Sequence, residues 1–350
     1  MNITHVITGL GRGGAEKFLY NISSAFNNLG YPQKVIVLNN EQLDLMPLFK
    51  DTNIEVEVLN VTRNPYSLVL KAYYFSRSLK NTTYNILHAH MFHALVFACL
   101  TKLFLPQTRI VFTSHSFNIG SKLRERFTFL LRPFRDMDIL FSRKMHRRFY
   151  KRNEYSIIPN GIPTRNYCLD IAKGQDYIFI SVARLEKVKN QKVIIDAAAK
   201  LVKDGLKFKI WLVGEGEMKD YLRQYTSSLN LDEVVLFKGF SEDIPRLLNK
   251  SNCFLLPSLW EGLPLSLLEA GASGLPIICT PVGSIPEFFS REQVEYADIY
   301  NLYPAMKKVL LDQEGYVRKG EQLKKYIIEN FDIQITVQQH LAVYKKLIKQ

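Results

Sequence analysis

The chain has 350 residues, 47% of them hydrophobic and 23% charged, which excludes a disordered polymer and suffices for two domains, each with its own core. Lys and Arg total 46 against 33 Asp and Glu, a formal net charge of +13, so a negatively charged partner is expected: a phosphorylated substrate, an anionic membrane surface or nucleic acid. No zinc-finger or RNP signature accompanies the charge, which sets nucleic acid aside.

An apolar strand is expected at once, over residues 3–8, leaving no room for a signal peptide. Further strands are expected at 34–38, 55–59, 86–90, 110–114, 139–142 and 156–159, then at 177–182, 209–213, 234–238, 253–257 and 277–280. Helical periodicity marks 15–29, 191–203, 316–329, weakened there by Gly320, and the tail 331–350. The greasiest run, 92–105, is too short to span a bilayer and contains Lys102, so it reads as a buried helix. Strands alternating with helices predict parallel βαβ units, and two such sets predict two doubly wound α/β domains. The stretch 162–175, mixing Pro, Thr, Asn, Asp and Gly, is expected to hold the boundary. Cys99, Cys168, Cys253 and Cys279 form no Cys-x-x-Cys and neighbour apolar residues, so buried free thiols in a reducing compartment are expected.

Residues 9–14, Gly-Leu-Gly-Arg-Gly-Gly, fit G-x-G-x-x-G between a strand and a helix. Gly13 and Gly14 would let backbone approach a phosphate, with Arg12 and Glu16 beside them. A nicotinamide cofactor would also want an acidic residue ending the second strand, where Asn39 and Asn40 stand. His88 and His90 share a strand face, but a metal needs a third ligand and the sequence shows none nearby. Thr113-Ser114-His115-Ser116 ends another strand, at the edge where doubly wound sheets bind ligands. Residues 121–152 carry eleven Lys and Arg against Glu125, Asp136 and Asp138, with Leu123, Phe127, Leu130, Leu131 and Phe134 at helical spacing. The segment reads either as a solvated helix face or as a peripheral contact with an anionic membrane.

Arg184 and Lys189 follow the strand 177–182 and could neutralise a leaving diphosphate. The most informative stretch is 257–287, PSLWEGLPLSLLEAGASGLPIICTPVGSIPE. Glu261 lies in a loop, Pro264 suits the first position of a helix, and Gly274 with Pro276 ends it. Backbone N–H groups of Gly262, Leu263 and Leu265 would face an anion at the helix N-terminus. Glu269 lies roughly 8 Å along the helix, at about 1.5 Å per residue. A carboxylate on each side of an anion cradle suits a sugar nucleotide, with hydroxyls at both ends and a diphosphate between.

Glu261 and Glu269 resemble the Glu-x7-Glu motif of the retaining GT-B glycosyltransferases of family 4, and the resemblance extends over almost the whole chain. Gly-Arg-Gly-Gly-Ala-Glu, Thr-Ser-His, Pro-Asn-Gly at 159–161 and the Arg184…Lys189 loop also match. The family usually has Asp two residues after that Gly; Pro163 stands there, a departure confined to the linker. The resemblance implies two Rossmann-like domains facing an interdomain cleft: 1–165 on the acceptor side, 166–330 for the donor, and a helix 331–350 crossing back to the first. It implies that Glu261 and His115 approach the donor sugar, Glu269 holds the ribose, and Gly214 and Phe240 lie at the nucleotide base. Gly13 and Gly14 would face the diphosphate, with Arg12, Glu16 and His90 toward the acceptor. Asp136-Met137-Asp138 is the tripeptide by which GT-A enzymes bind a metal, but Asp138 here resembles a strand-start aspartate of the family.

The expected function is retaining transfer from a nucleotide-sugar, taken as a UDP-sugar, to a hydroxyl of a glycan or polyprenyl-diphosphate-linked glycan in bacterial surface-polysaccharide synthesis. No metal or other cofactor is expected, nor nucleic acid. The location would be cytoplasmic, with possible peripheral attachment to the membrane through 121–152. The alternatives are a sugar-nucleotide epimerase of the same fold or a non-catalytic nucleotide-sugar-binding subunit.

Overall fold

A computed structural model describes residues 2–50, 52–62, 64–79, 85–115, 121–149 and 154–349. The chain divides into two compact units, one of Met1–Gly161 with Ile333–Gln350 and one of Ile162–Asp332. The expected position Ser116 and the basic residues Lys151 and Arg152 lie outside the described residues.

In the first unit the order is β1 (Asn2–Ile7), α1 (Gly14–Asn28), β2 (Gln33–Val37), α2 (Met46–Lys50), β3 (Glu55–Val58), α3 (Pro65–Ser78) and β4 (Asn85–His90). Then come α4 (Met91–Phe104), β5 (Arg109–Thr113), α5 (Lys122–Leu130), β6 (Met137–Leu140), α6 (Arg143–Phe149) and β7 (Tyr155–Ile157). The strands form one parallel sheet in the order β3-β2-β1-β4-β5-β6-β7. Its central strands are buried on both faces, as in other parallel sheets, and β1 and β4 carry His5, His88 and His90 among their apolar residues. Helix α1 buries Phe18, Leu19, Ile22 and Phe26, the 3.6-residue stripe legible in its sequence. Helix α4 is the greasy run, packed on β4 and β5. Among the described residues no helix is long and apolar enough to cross a membrane.

The second unit runs through β8 (Ile178–Val182), α7 (Lys192–Lys203), β9 (Lys209–Val213), α8 (Lys219–Ser228), β10 (Val235–Gly239), α9 (Ile244–Asn249) and β11 (Cys253–Leu256). It continues with α10 (Leu265–Ala272), β12 (Ile277–Cys279), α11 (Ile285–Phe288), β13 (Glu295–Tyr296), α12 (Tyr303–Leu311) and α13 (Gln313–Phe331), with 3-10 turns at Thr164–Tyr167 and Lys187–Lys189. The sheet is again parallel, in the order β10-β9-β8-β11-β12-β13. Both sheets thus reverse strand order beside their first strand, the switch point where such folds bind ligands. The final helix, α14 (Ile333–Lys349), groups with the first unit, where Tyr344 and Phe26 set their rings 5.7 Å apart.

Several expectations need correction. Strand β13, two residues long, carries no periodic signal. The helix expected at 316–329 extends over Gln313–Phe331, and Gly320, read as a weakness, is a close-packing site: a Cβ there would lie 2.3 Å from the Gly274 carbonyl oxygen. Cys168 is exposed, not buried, because it follows a 3-10 turn at the surface, whereas Cys99, Cys253 and Cys279 are buried free thiols.

Candidate active site

In the second unit, β11 ends at Leu256 and the chain loops to α10. Glu261 lies in that loop and is only 6% exposed. Lys189 Nζ donates to its Oε1 at 2.7 Å and Ser258 Oγ donates to the same oxygen at 2.6 Å. The loop is held from behind: Thr280 Oγ1 donates to Ser258 O at 2.6 Å and Ser284 Oγ to Gly262 O at 2.6 Å. Gly283, at φ +60°, presses so closely that a Cβ there would stand 1.8 Å from Glu261 O. The Lys189 loop is tied to the same place. Leu259 N–H donates to Val188 O at 2.8 Å, and Asn190, in the left-handed region at φ 56°, donates through Nδ2 to Pro257 O and Ile299 O.

Two cations expected to await a diphosphate therefore have carboxylate partners. Lys189 is bound to Glu261, and Arg184 Nη1 meets Glu186 Oε1 at 2.6 Å on its own exposed loop. An exposed pair of that kind is worth under about 1 kcal/mol, so Arg184 exchanges partners easily.

Pro264 also departs from expectation. Its φ of −72° and ψ of 124° make it the N-cap, and α10 begins at Leu265. The pyrrolidine ring fixes φ but leaves ψ free to stay extended. Leu263, Pro264 and Leu265 are buried and Gly262 is half-buried. Glu269 sits in α10, 2% exposed, and accepts a hydrogen bond from the Tyr167 phenol. Burial first, then the Glu269 charge, drives that phenol's pKa up. Tyr167 lies in a stretch that reads as linker, so nothing in the sequence pointed to it. At the ends of β9 and β10, Gly214 N–H donates to Gly239 O at 2.8 Å and Phe240 is exposed.

In the first unit, the glycine loop precedes α1. Arg12 pairs with Asp44 at 3.2 Å, Gly13 is the N-cap, and the Glu16 carboxylate folds back over it. Gly14 faces open space. His115, half-buried, caps β5 with φ +59°, a left-handed backbone unusual for a non-glycine residue. Its Nε2 lies 2.7 Å from His90 Nδ1. His90, expected on the acceptor side, is fully buried behind His115, because β4 is an inner strand of the sheet.

The third imidazole that the sequence did not reveal is His5, on β1 beside β4. Nitrogens of His5, His88 and His90 all lie within 4.8 Å of one another. A metal could be held by such a set, but the ring nitrogens are already engaged: His5 with His90 and Gln33, and His88 with Tyr344 and Thr113. Burial holds His5 and His115 down at about 3 and lowers His88 and His90 well below the ordinary value. Asp136 accepts from Lys102, Arg109 and the Ile110 N–H, and Asp138 pairs with Arg135 in the interior, so both carboxylates serve the β5–β6 packing.

Comparison with known proteins matches residues 12–166 to the family described as Glycosyltransferase Family 4 and residues 170–329 to that described as Glycosyl transferases group 1. An Escherichia coli UDP-Gal:alpha-D-GlcNAc-diphosphoundecaprenol alpha-1,3-galactosyltransferase is 26% identical over 73% of this chain and 73% of its own length. A Campylobacter jejuni N-acetylgalactosamine-N,N'-diacetylbacillosaminyl-diphospho-undecaprenol 4-alpha-N-acetylgalactosaminyltransferase is 27% identical over 91% of this chain and 93% of its own. Among solved structures, Anabaena Alr3699/HepE in complex with UDP and glucose superposes with a TM-score of 0.87 at 19% identity, covering 99% of this chain and 100% of that one.

Proposed function

From a chain that belongs to the family 4 glycosyltransferases of GT-B fold, we propose a retaining enzyme that moves a sugar from a UDP-sugar to a hydroxyl of a polyprenyl-diphosphate-linked glycan in bacterial surface-polysaccharide synthesis. The observation that carries this reading is the largely buried Lys189–Glu261 pair, with Glu261 just before α10 and Glu269 further along that helix.

In this reading the diphosphate meets Lys189, Arg184 and the amides of Gly262, Leu263 and Leu265. Glu269 takes the ribose, exchanging its Tyr167 partner, and Gly214 and Phe240 flank the base. Glu261 fixes the sugar and keeps Lys189 in place. Lys189 and Ser258 both donate to its Oε1, and in this reading Glu261 serves as a charge partner. The proposed reaction is a same-face substitution. The bond from the anomeric carbon to the diphosphate oxygen breaks as the acceptor oxygen bonds from the same side, and the departing diphosphate takes the acceptor proton. The developing charge falls on fixed cations, so no metal is required. In the first unit, His115 is proposed to contact a sugar hydroxyl and the Gly13–Gly14 loop the diphosphate, with Arg12 and Glu16 on the acceptor side.

The relatives that act on undecaprenol-linked substrates support a lipid-linked acceptor. So does α5: Leu123, Phe127 and Leu130 form its apolar stripe and are 63, 48 and 65% exposed, among Lys122, Arg124 and Arg126. We propose that this face lies on the anionic membrane surface that holds the acceptor.

The test is a thermal-shift series with UDP, GDP and ADP in the presence of EDTA, followed by assignment of the anomer in the product. A UDP-specific rise in melting temperature and a retained anomer are expected. No shift with any of the three, or an inverted linkage, would overturn the reading.

A further inference from the structure

Four side chains run in single file from the edge of β2 to the end of β5. Gln33 Oε1 lies 3.0 Å from His5 Nε2, His5 Nδ1 lies 2.9 Å from His90 Nε2, and His90 Nδ1 lies 2.7 Å from His115 Nε2. Gln33, His5 and His90 are buried.

The direction of every hydrogen bond in this file follows from its first member. Gln33 Nε2 donates to Tyr31 O at 2.9 Å and to Pro32 O at 3.1 Å. Turning the amide over would set its oxygen against two carbonyl oxygens, so Oε1 must face His5 as an acceptor. His5 Nε2 therefore carries the proton. Burial keeps the rings neutral at pH 7, each with one N–H. His5 Nδ1 is then an acceptor and His90 Nε2 its donor. His90 Nδ1 is in turn an acceptor, and His115 Nε2 the donor to it. The last ring is left with a bare Nδ1. His88 stands outside the file, its two nitrogens bonded to Tyr344 and Thr113. Strained non-glycine backbone brackets the last two rings: Met91, next to His90, at φ 69° and His115 itself at φ 59°. Such conformations cost about 1–3 kcal/mol each and persist where the surroundings demand them.

We propose that Gln33, His5 and His90 are positioning residues that lock His115 as its Nε2–H tautomer and so present Nδ1 as a hydrogen-bond acceptor to a hydroxyl of the bound sugar. The first half of this statement concerns the ligand-free protein alone; the second rests on the glycosyltransferase reading above. The effect is selective. A bare nitrogen accepts from a hydroxyl and turns away an acceptor such as a phosphate oxygen, which an Nδ1–H or a cationic ring would attract.

The test is nitrogen-15 spectroscopy of the histidine rings in the full, ligand-free chain at pH 7. Wild-type His5, His90 and His115 should each show a protonated Nε2 and a bare Nδ1. Gln33→Leu removes the fixed acceptor, so His115 should lose its single tautomer and show protons shared between its two nitrogens. His90→Phe cuts the file further along: His5 should keep its Nε2–H while His115 loses its preference. A thermal shift with UDP serves as the fold control, and its retention is expected in both variants. A wild-type His115 found with Nδ1–H or charged overturns the proposal without need of any variant. So does a Gln33→Leu protein whose His115 signature matches wild type, or a zinc titration that moves the His5 and His90 nitrogens at stoichiometric metal. Absence of any UDP shift in wild type would sink the donor reading and leave the tautomer result standing.

Discussion

Lys189 Nζ and Glu261 Oε1 lie 2.7 Å apart with side chains 19 and 8% exposed, joining the loop after β8 to the loop before α10. Removing one partner of a buried pair leaves the other's charge uncompensated, at a cost of about 3–5 kcal/mol when burial is complete. Here Lys189 retains some solvent, and Glu261→Gln should cost about 2 kcal/mol in urea unfolding. Lys189→Met should cost a similar amount, and the double variant should cost less than the sum. Strict additivity in this cycle would show that the two residues do not act as a pair.

Glu269 and Tyr167 separate binding from stability. Glu269→Ala should abolish the UDP thermal shift, since the carboxylate is assigned to the ribose. Tyr167→Phe removes only a hydroxyl and should lower stability by about 1 kcal/mol. It should leave the UDP shift in place or enlarge it, because the carboxylate no longer has an internal donor to give up. Equal loss of the UDP shift in both variants would mean that the phenol itself contacts the ligand.

The periodicity of residues 15–29 and 191–203, and the alternation of strands with helices, were enough to place nearly all the strands and the two-unit α/β organisation. That Glu261 falls in a loop and Glu269 in the helix after it was legible because Gly and Pro punctuate the chain there. What was not legible depends on long-range pairing. His5 meets His90 only because β1 and β4 are neighbours in the sheet, a register no local pattern encodes. Tyr167 reaches Glu269 from a segment whose composition says linker. The partners of Lys189 and Arg184 were likewise invisible, since a cation that suits a diphosphate suits a carboxylate equally well.

The buried histidines set an acid limit on the fold. His5 is held at about 3 and His340 at about 4, both chiefly by burial, and His88 and His90 lie well below the ordinary value. In the unfolded chain each would titrate near about 6.5. Below that pH the unfolded state binds more protons, so stability is complete above about 6.5 and falls as pH drops toward the folded values. At pH 5 each fully buried ring should cost about 2 kcal/mol. Urea midpoints at pH 7.5, 6.5 and 5.5 should therefore fall steeply below 6.5. His340 Nε2 has no hydrogen-bond partner among the described residues, so His340→Leu should flatten the slope by about one proton without a large loss at pH 7.5. A profile that stays level between 6.5 and 5.5 would contradict the buried neutral cluster.

Helix α5 should bind anionic vesicles through its apolar stripe as well as its charge. Phe127→Glu with Leu130→Glu should abolish sedimentation with phosphatidylglycerol vesicles, while leaving melting temperature unchanged, because both side chains are exposed. Arg124→Ser with Arg126→Ser should weaken binding by about 1 kcal/mol per charge and make it less sensitive to salt. Sedimentation that survives the glutamates would place the membrane contact elsewhere on the molecule.

Two glycines should answer oppositely to alanine. At Gly283 the backbone is left-handed and a Cβ would stand 1.8 Å from Glu261 O, so Gly283→Ala must push the Glu261 loop aside. Stability and transfer should fall together, the former by more than about 1 kcal/mol. At Gly14 a Cβ meets nothing within 4 Å, and alanine at the first position of α1 should hold or raise stability by about 0.5 kcal/mol. If the open space over Gly14 is where the ligand comes close to backbone, the added methyl should still cut transfer several-fold, with melting temperature unchanged. Full activity in Gly14→Ala would remove the glycine loop from the proposed ligand contacts and leave the rest of the site, built on Glu261, Lys189 and Glu269, untouched.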